Sequence, residues 1–248
     1  MSWLRACWRL LRVLLHGLHG LLLVLWVFPW LQPARRQPRI AWWSAKLLRV
    51  LGMELRVQGR FSPGALLVVA NHISWLDIMA VHAVCPQARF VSKADVQRWP
   101  VVNRLVSAAG TLYIERDKRR DALRVVHQMA EALQRGDTVA VFPEGTTGDG
   151  QGLLPFHANL LQAAITTATP VQPVALRYAD ADHAVSPAAL WLGEATLLQS
   201  LWRLACGHGL VVMLQVLPPR GTAHAERRAL AQCLRDEIGQ ALRVESGT

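Results

Sequence analysis

Asn71, His72 and Asp77 follow directly on the apolar run Leu66-Leu67-Val68-Val69-Ala70, and Glu144 and Gly145 lie just beyond Val139-Ala140-Val141. Each stretch puts ionisable groups where a buried strand would end and the chain would turn. In α/β folds that is where ligands and chemistry gather. An imidazole held by a carboxylate is a general base: the carboxylate fixes one ring nitrogen and leaves the other to take a proton. Five residues on an ideal helix turn through about 140°, so His72 and Asp77 would not share a helical face. Their contact requires His72 in the turn and Asp77 one turn inside a following helix, which Asn71 or Ser74 would cap. The spacing also suits a capped helix with a satisfied surface histidine. Pro143-Glu144-Gly145-Thr146 reads either as a carboxylate and backbone amides presented on a tight turn or as an ordinary glycine turn; Gly145 opens a backbone conformation closed to other residues.

The elements that must position these groups are legible in the hydrophobic pattern. After Gly59 short apolar runs alternate with longer helical periodicity, which predicts an α/β fold. The expected strands are Leu55–Val57, Leu66–Ala70, Arg89–Val91, Thr111–Ile114, Thr138–Phe142, Val171–Leu176 and Leu210–Val216. Helices are expected over Arg119–Leu133, Phe156–Thr167 and Ala225–Leu242, the last with Leu230, Leu234, Ile238 and Leu242 on one stripe. The sheet is expected to be mixed but mostly parallel and flanked by helices. Residues 145–152, with four glycines, read as a loop.

The charge is unevenly placed. Of the net +10, residues 1–60 carry +9, from nine Arg and Lys46 against Glu54. That argues for an anionic membrane surface and against a basic nucleic-acid groove across the body. Val13–Leu31 holds 19 residues without a formal charge, about 28 Å as a helix and close to a bilayer's hydrocarbon core. A cleaved signal peptide fits poorly, because no small-x-small site follows. A full span and a helix that enters one leaflet and returns both fit; both flanks are basic, so the positive-inside rule does not choose. In the second case Ile40–Leu51, with Trp42, Trp43, Lys46 and Arg49, would lie in the interface. The chain therefore divides into a membrane-associating helical segment, 1–54, and an α/β domain, 55–248.

Other chemistries find little support. Cys7, Cys85, Cys206 and Cys233 are far apart, with no C-x-x-C and no His/Cys cluster at zinc spacing, so no metal site is expected. His16 and His19, three apart in the apolar run, suit packing better than metal binding. There is no G-x-S-x-G elbow, and Gly148 to Gly152 lacks the spacing of a dinucleotide fingerprint.

Taken together, the segments resemble the glycerolipid acyltransferases that acylate lysophosphatidate and related lysophospholipids. Asn71 to Asp77 matches their N-H-x-x-x-x-D block fully. Gly110-Thr111-Leu112-Tyr113-Ile114-Glu115-Arg116 is similar to the second block, and Phe142 to Thr146 matches F-P-E-G-T of the third. Val171-Gln172-Pro173-Val174-Ala175 is similar to the fourth, a Pro-containing strand. The resemblance covers about residues 55–220. It departs at Thr147, where the family has Arg.

The resemblance implies an O-acyltransferase that moves a fatty acyl group from a thioester to the free hydroxyl of a lysophosphatidate-like lysophospholipid. His72 would be the base and Asp77 its orienting partner. Arg116 would bind the acceptor's phosphate, with Glu144, Gly145, Thr146 and Lys93 in the same substrate-binding pocket. No cofactor is implied; acyl-CoA or an acyl carrier protein thioester is the co-substrate. The implied setting is the inner membrane, with the catalytic domain facing the cytoplasm. Thr147 offers a hydroxyl and no charge, which keeps a lysophospholipid with a larger head group, or a lyso-aminolipid such as a lyso-ornithine lipid, open as acceptor. A His-Asp hydrolase using water and a non-catalytic membrane adaptor are the rivals from other classes.

Overall fold

The computed structural model of the protein describes residues 2–93, 100–114 and 119–244. Two helices, α1 (Ser2–Leu22) and α2 (Pro33–Val50), lead into alternating strands and helices: β1 (Met53–Gln58), β2 (Leu66–Ala70), α3 (Leu76–Val84), β3 (Arg89–Lys93), α4 (Pro100–Ala108), β4 (Leu112–Ile114), α5 (Arg119–Gln134), β5 (Thr138–Val141), α6 (Gln162–Thr166), β6 (Val171–Ala179), α7 (Leu197–Cys206), β7 (Leu210–Val216) and α8 (Arg227–Val244). The strands form one seven-stranded sheet in the order β1-β7-β6-β2-β5-β3-β4. Every neighbouring pair is parallel except β6 with β7. The mixed, mostly parallel sheet is the expected one.

All five residues of β2 are buried, as a central strand covered on both faces requires. Leu66, Val68 and Ala70 enter the core shared with α2, α3 and α7. Leu67 and Val69 enter the opposite core, shared with α5, α6 and α8. The period of two thus splits one strand between two layers of helices. β1, at the sheet's edge, buries only Met53.

The sequence reading of the helices differs from the structure. Phe156–Thr167 is not one helix: a 3-10 turn over Ala158–Leu161 precedes the short α6. The helices α4 and α7 were not anticipated. The helix anticipated over Ile40–Leu51 begins earlier, with Pro33 at its first position. Its last turn is core, since Leu47, Leu48 and Leu51 pack under the sheet.

The run Trp3–Trp30 is long and apolar enough to cross a bilayer. α1 itself lies along the body, however. Arg9 donates to the carbonyls of Ala205 (3.1 Å) and Gly207 (2.6 Å) at the C-terminal end of α7, where a cation is favoured by the helix dipole. His16 stacks on Trp43 of α2 with ring centroids 4.8 Å apart. The two residues also exchange hydrogen bonds through Nε2 of His16 and the indole N–H of Trp43. His16 is thus a packing residue, as expected. The opposite side of α1 is bare: Leu4, Trp8, Leu11, Leu15, Leu18 and Leu22, spaced alternately four and three apart, are all exposed, as is Leu25 in the turn that follows.

Replacing Arg9 by Ala removes two charge-assisted bonds and is expected to cost ~2 kcal/mol. Amide hydrogen exchange should rise in the last turn of α7 and the first half of α1; unchanged protection there would show that Arg9 does not hold the helix down.

Candidate active site

The two sequence segments meet because β2 and β5 are adjacent parallel strands in register, Val69 opposite Val141. Their C-terminal ends coincide, so Asn71-His72 and Phe142-Glu144 leave the sheet side by side. On the other flank, β2 pairs with β6 only as far as Ala70 opposite Val174. β6 then runs on to Ala179 and overhangs the turn that carries His72.

Asn71 uses that overhang. Its side-chain amide donates to the Leu176 carbonyl at 2.9 Å, and its oxygen accepts from the Leu176 N–H at 2.8 Å. It therefore extends the β2–β6 ladder by a side chain, and neither Asn71 nor Ser74 caps α3. The backbone amides of Ile73 and Ser74, in the turn before α3, donate to Asp77 Oδ2 at 2.7 and 2.9 Å.

His72 Nδ1 lies 2.7 Å from the same Oδ2. The contact the spacing called for is present, with the histidine in the turn and Asp77 in the first turn of α3. Asp77 is fully buried, while the His72 side chain keeps 20% of its surface. The ring stacks on Phe142, centroids 4.0 Å apart and planes 8° from parallel, and Phe142 stacks in turn on Phe90. Ring rotation is blocked on that face, and Nδ1 is taken, which leaves Nε2 for chemistry.

The remaining oxygen, Asp77 Oδ1, accepts from the Tyr178 hydroxyl at 2.7 Å. Tyr178 is buried in the overhanging end of β6. Burial, and next the neighbouring Asp77, hold its phenol well above the ordinary value, so it stays a donor. Tyr178 belongs to no block that the sequence reading singled out. An aromatic with a polar tip two residues past a buried strand segment was the only available signal.

Glu144 is turned inward. Its Oε1 accepts from the His72 N–H at 2.7 Å and its Oε2 from the Leu154 N–H at 2.8 Å. Both oxygens are thus engaged with backbone, and the carboxylate ties the His72 turn to the loop after β5. That geometry makes it a loop staple; the expected role of seating a head group is not what its contacts describe. The Gly148 N–H donates to the His72 carbonyl at 2.8 Å, a second tie between the same loops. Gly145 sits at φ +74°, and a Cβ there would lie 3.0 Å from the His157 ring, so the turn needs glycine twice over. Thr146 is exposed on this turn. Thr147 donates its hydroxyl to the Trp191 carbonyl, and the Trp191 N–H donates to the Ile73 carbonyl at 3.1 Å. The departure from the family pattern therefore fastens the 180–196 loop over the site. Lys93 closes β3, but its side chain lies outside the described residues, as does Arg116 altogether.

Phe90, the far ring of that stack, lines an apolar cavity of about 360 Å³. Phe90, Trp75 and Trp191 wall its inner side, and Val13, Gly17 and Leu47 of the two N-terminal helices close the outer side. An imidazole held at Nδ1 by a sealed carboxylate, with an apolar cavity beyond the stacked phenylalanines, is an arrangement suited to chemistry on greasy substrates.

Comparison with known proteins agrees. A family model described as Acyltransferase matches residues 54–177, which include both segments. The chain is 38% identical over 207 residues to a lyso-ornithine lipid O-acyltransferase of Pseudomonas aeruginosa, covering 84% of this chain and 79% of that protein. It is 37% identical over 194 residues to a 1-acyl-sn-glycerol-3-phosphate acyltransferase of Neisseria gonorrhoeae, covering 78% and 74%. The crystal structure of PlsC, the 1-acyl-sn-glycerophosphate acyltransferase of Thermotoga maritima, has the same fold, with a TM-score of 0.70 at 20% identity over 97% of this chain and 98% of that one. Fold and family match define an α/β acyltransferase. The chain belongs to the acyltransferase family, and it is an enzyme of lipid metabolism.

Burial raises the Glu144 carboxyl above its ordinary value of 4.5, despite the two amides that pull it down. The folded chain therefore holds this proton more tightly than the unfolded chain. The Glu144 contribution to stability is full below pH 4.5 and is lost as pH rises through the raised value. In Glu144→Gln that downward segment should vanish from a plot of unfolding free energy against pH. One amide acceptor is replaced by a donor in the same variant, at a cost of about 1–3 kcal/mol at acid pH. A slope identical to that of the parent chain would show that another group titrates there.

Proposed function

We propose that this enzyme transfers a fatty acyl group from an acyl thioester, of coenzyme A or of acyl carrier protein, to the free hydroxyl of a lysolipid at a membrane surface. The observation that carries the proposal is the His72–Asp77 pair. Nδ1 is held by the carboxylate, the His72 side chain keeps part of its surface exposed, and the Phe142 and Phe90 rings stacked behind it lead to the apolar cavity that Phe90 lines.

In this reading Nε2 takes the proton of the acceptor hydroxyl as its oxygen attacks the thioester carbonyl carbon. Asp77 stabilises the imidazolium that forms. The tetrahedral intermediate collapses, the C–S bond breaks, and the leaving thiolate takes the proton back from Nε2. No acyl-enzyme is required, because the acceptor hydroxyl is itself the nucleophile. The acyl chain would lie in the cavity between α1, α2 and the sheet. Arg116 and Lys93 would meet the acceptor's phosphate, with Thr146 at the rim.

The bare stripe of α1 supports membrane association, with Trp26 and Trp30 exposed at its end as interfacial anchors. Arg9 keeps the first half of α1 on the protein, which favours a helix lying against one leaflet over one that spans. The inner membrane, with the site facing the cytoplasm, is the setting we propose.

The acceptor has two readings. Lysophosphatidate follows from the motif blocks. A lyso-ornithine lipid is favoured by Thr147, whose hydroxyl is spent on the Trp191 carbonyl and which brings no charge to the site. Purified enzyme given radiolabelled acyl-CoA, with each lysolipid in turn, is expected to form acylated lipid on at least one of them. His72→Ala should lower that rate by at least about 10²-fold, the lower end of what a general base supplies. Release of free fatty acid with no acylated lipid would make the enzyme a hydrolase, and undiminished transfer by His72→Ala would remove the base.

A further inference from the structure

Taking His72 as the base, we infer that Tyr178 is a positioning residue of the acyl-transfer reaction, the third member of a Tyr–Asp–His relay. The argument begins with sheet register. β2 ends at Ala70, opposite Val174, and β6 continues for five residues beyond that point. At about 3.3 Å per residue the extension covers the whole turn that carries His72 and the start of α3. Leu176 and Tyr178 point to the same side of β6, into the core that also holds α3. Leu176 takes the side chain of Asn71; Tyr178, one pleat further, reaches Asp77.

Asp77 has two oxygens with different work. Oδ2 accepts from His72 Nδ1 and from the amides of Ile73 and Ser74, which are four and three residues before it in the chain. Those bonds follow from local structure alone. Oδ1 has one donor among the described residues, and that donor comes from a strand 101 residues away. Three donors hold Oδ2, and a donor on Oδ1 stops the carboxylate from rocking about its Cβ–Cγ bond and so tightens the Oδ2–imidazole contact. The Tyr178 hydroxyl fixes that torsion. It also supplies the last hydrogen bond that a fully buried carboxylate needs. The phenol is well suited because burial keeps it protonated.

Three measurements on the full-length enzyme test the assignment. In Tyr178→Phe, kcat is expected to fall by roughly ten- to a hundredfold, the range that a hydrogen bond to a charged group commands, with KM for acyl-CoA and for the lysolipid unchanged. A cycle with Asp77→Asn separates positioning from packing: once Asp77 is neutralised, adding Tyr178→Phe should cause no further loss. Full additivity, or a wild-type kcat in Tyr178→Phe, overturns the inference. If Tyr178→Phe does not fold, an isosteric change decides. The chain has two tyrosines, and Tyr113 bonds only to Ser107 and Asn103 among the described residues. Tyr113→Phe enzyme grown with 3-fluorotyrosine is therefore altered at Tyr178 alone. The fluorinated phenol donates more strongly and draws charge from Asp77, so the acid limb of kcat/KM should move to lower pH. A limb that does not move overturns the relay. If His72→Ala retains activity, the base assignment fails first, and that result is independent of anything Tyr178 does.

Discussion

A carboxylate with no access to water organises this enzyme. Asp77 sits at the start of α3 with none of its surface exposed, and four donors converge on it: an imidazole, two backbone amides and a phenol. An ionised group removed from solvent is tolerated only when its lone pairs are filled, because each missing bond goes uncompensated in a low-dielectric interior. The turn after β2, the first turn of α3 and the free end of β6 must therefore hold one arrangement. The orientation of the His72 ring is a by-product of satisfying Asp77.

The sheet makes that arrangement possible. Two segments some seventy residues apart become neighbours because β2 and β5 are parallel, adjacent and end together. Parallel strands deliver all their C-terminal turns to one edge. Once there, the turns are joined by backbone rather than by charge pairs. Glu144 receives two amides, Gly148 bonds to the His72 carbonyl, and Thr147 and Ile73 both hold Trp191. The acidic residue of the second segment thus works through the backbone of the first. Trp75 and Trp191, from the loops beside the site, and the N-terminal helices wall the apolar cavity. α1 serves two surfaces at once, with one side docked on α7 and α2 and the other a bare stripe of leucine and tryptophan.

Much of the architecture was legible because its signals are local. β2 and β7 have the bounds expected from their apolar runs, and α5 and α8 lie where their helical stripes put them. What escaped has physical reasons. α4 and α7 are nine and ten residues long, too short for periodicity to stand out. α7 is announced only by the capping box of Thr196 and Gln199. Residues 156–167 look helical, yet the His157 N–H is held by the Pro143 carbonyl and delays the helix to Gln162. Asn71 was read as a cap because asparagine caps helices in general; the strand beside it offered both a donor and an acceptor, and a pair of bonds outweighs one.

By itself the sequence determined which residues could act as base and partner, since their types and their place after a buried strand are local facts. It also determined that the first sixty residues carry the positive charge and the apolar run, and that the fold alternates strand and helix. Tertiary structure alone decided that Glu144 faces inward, that Thr147 fastens a loop, and that Tyr178 completes the set around Asp77. Each of those depends on contact between segments 40 to about 100 residues apart, and such contacts are set by strand order and register, which no local pattern encodes.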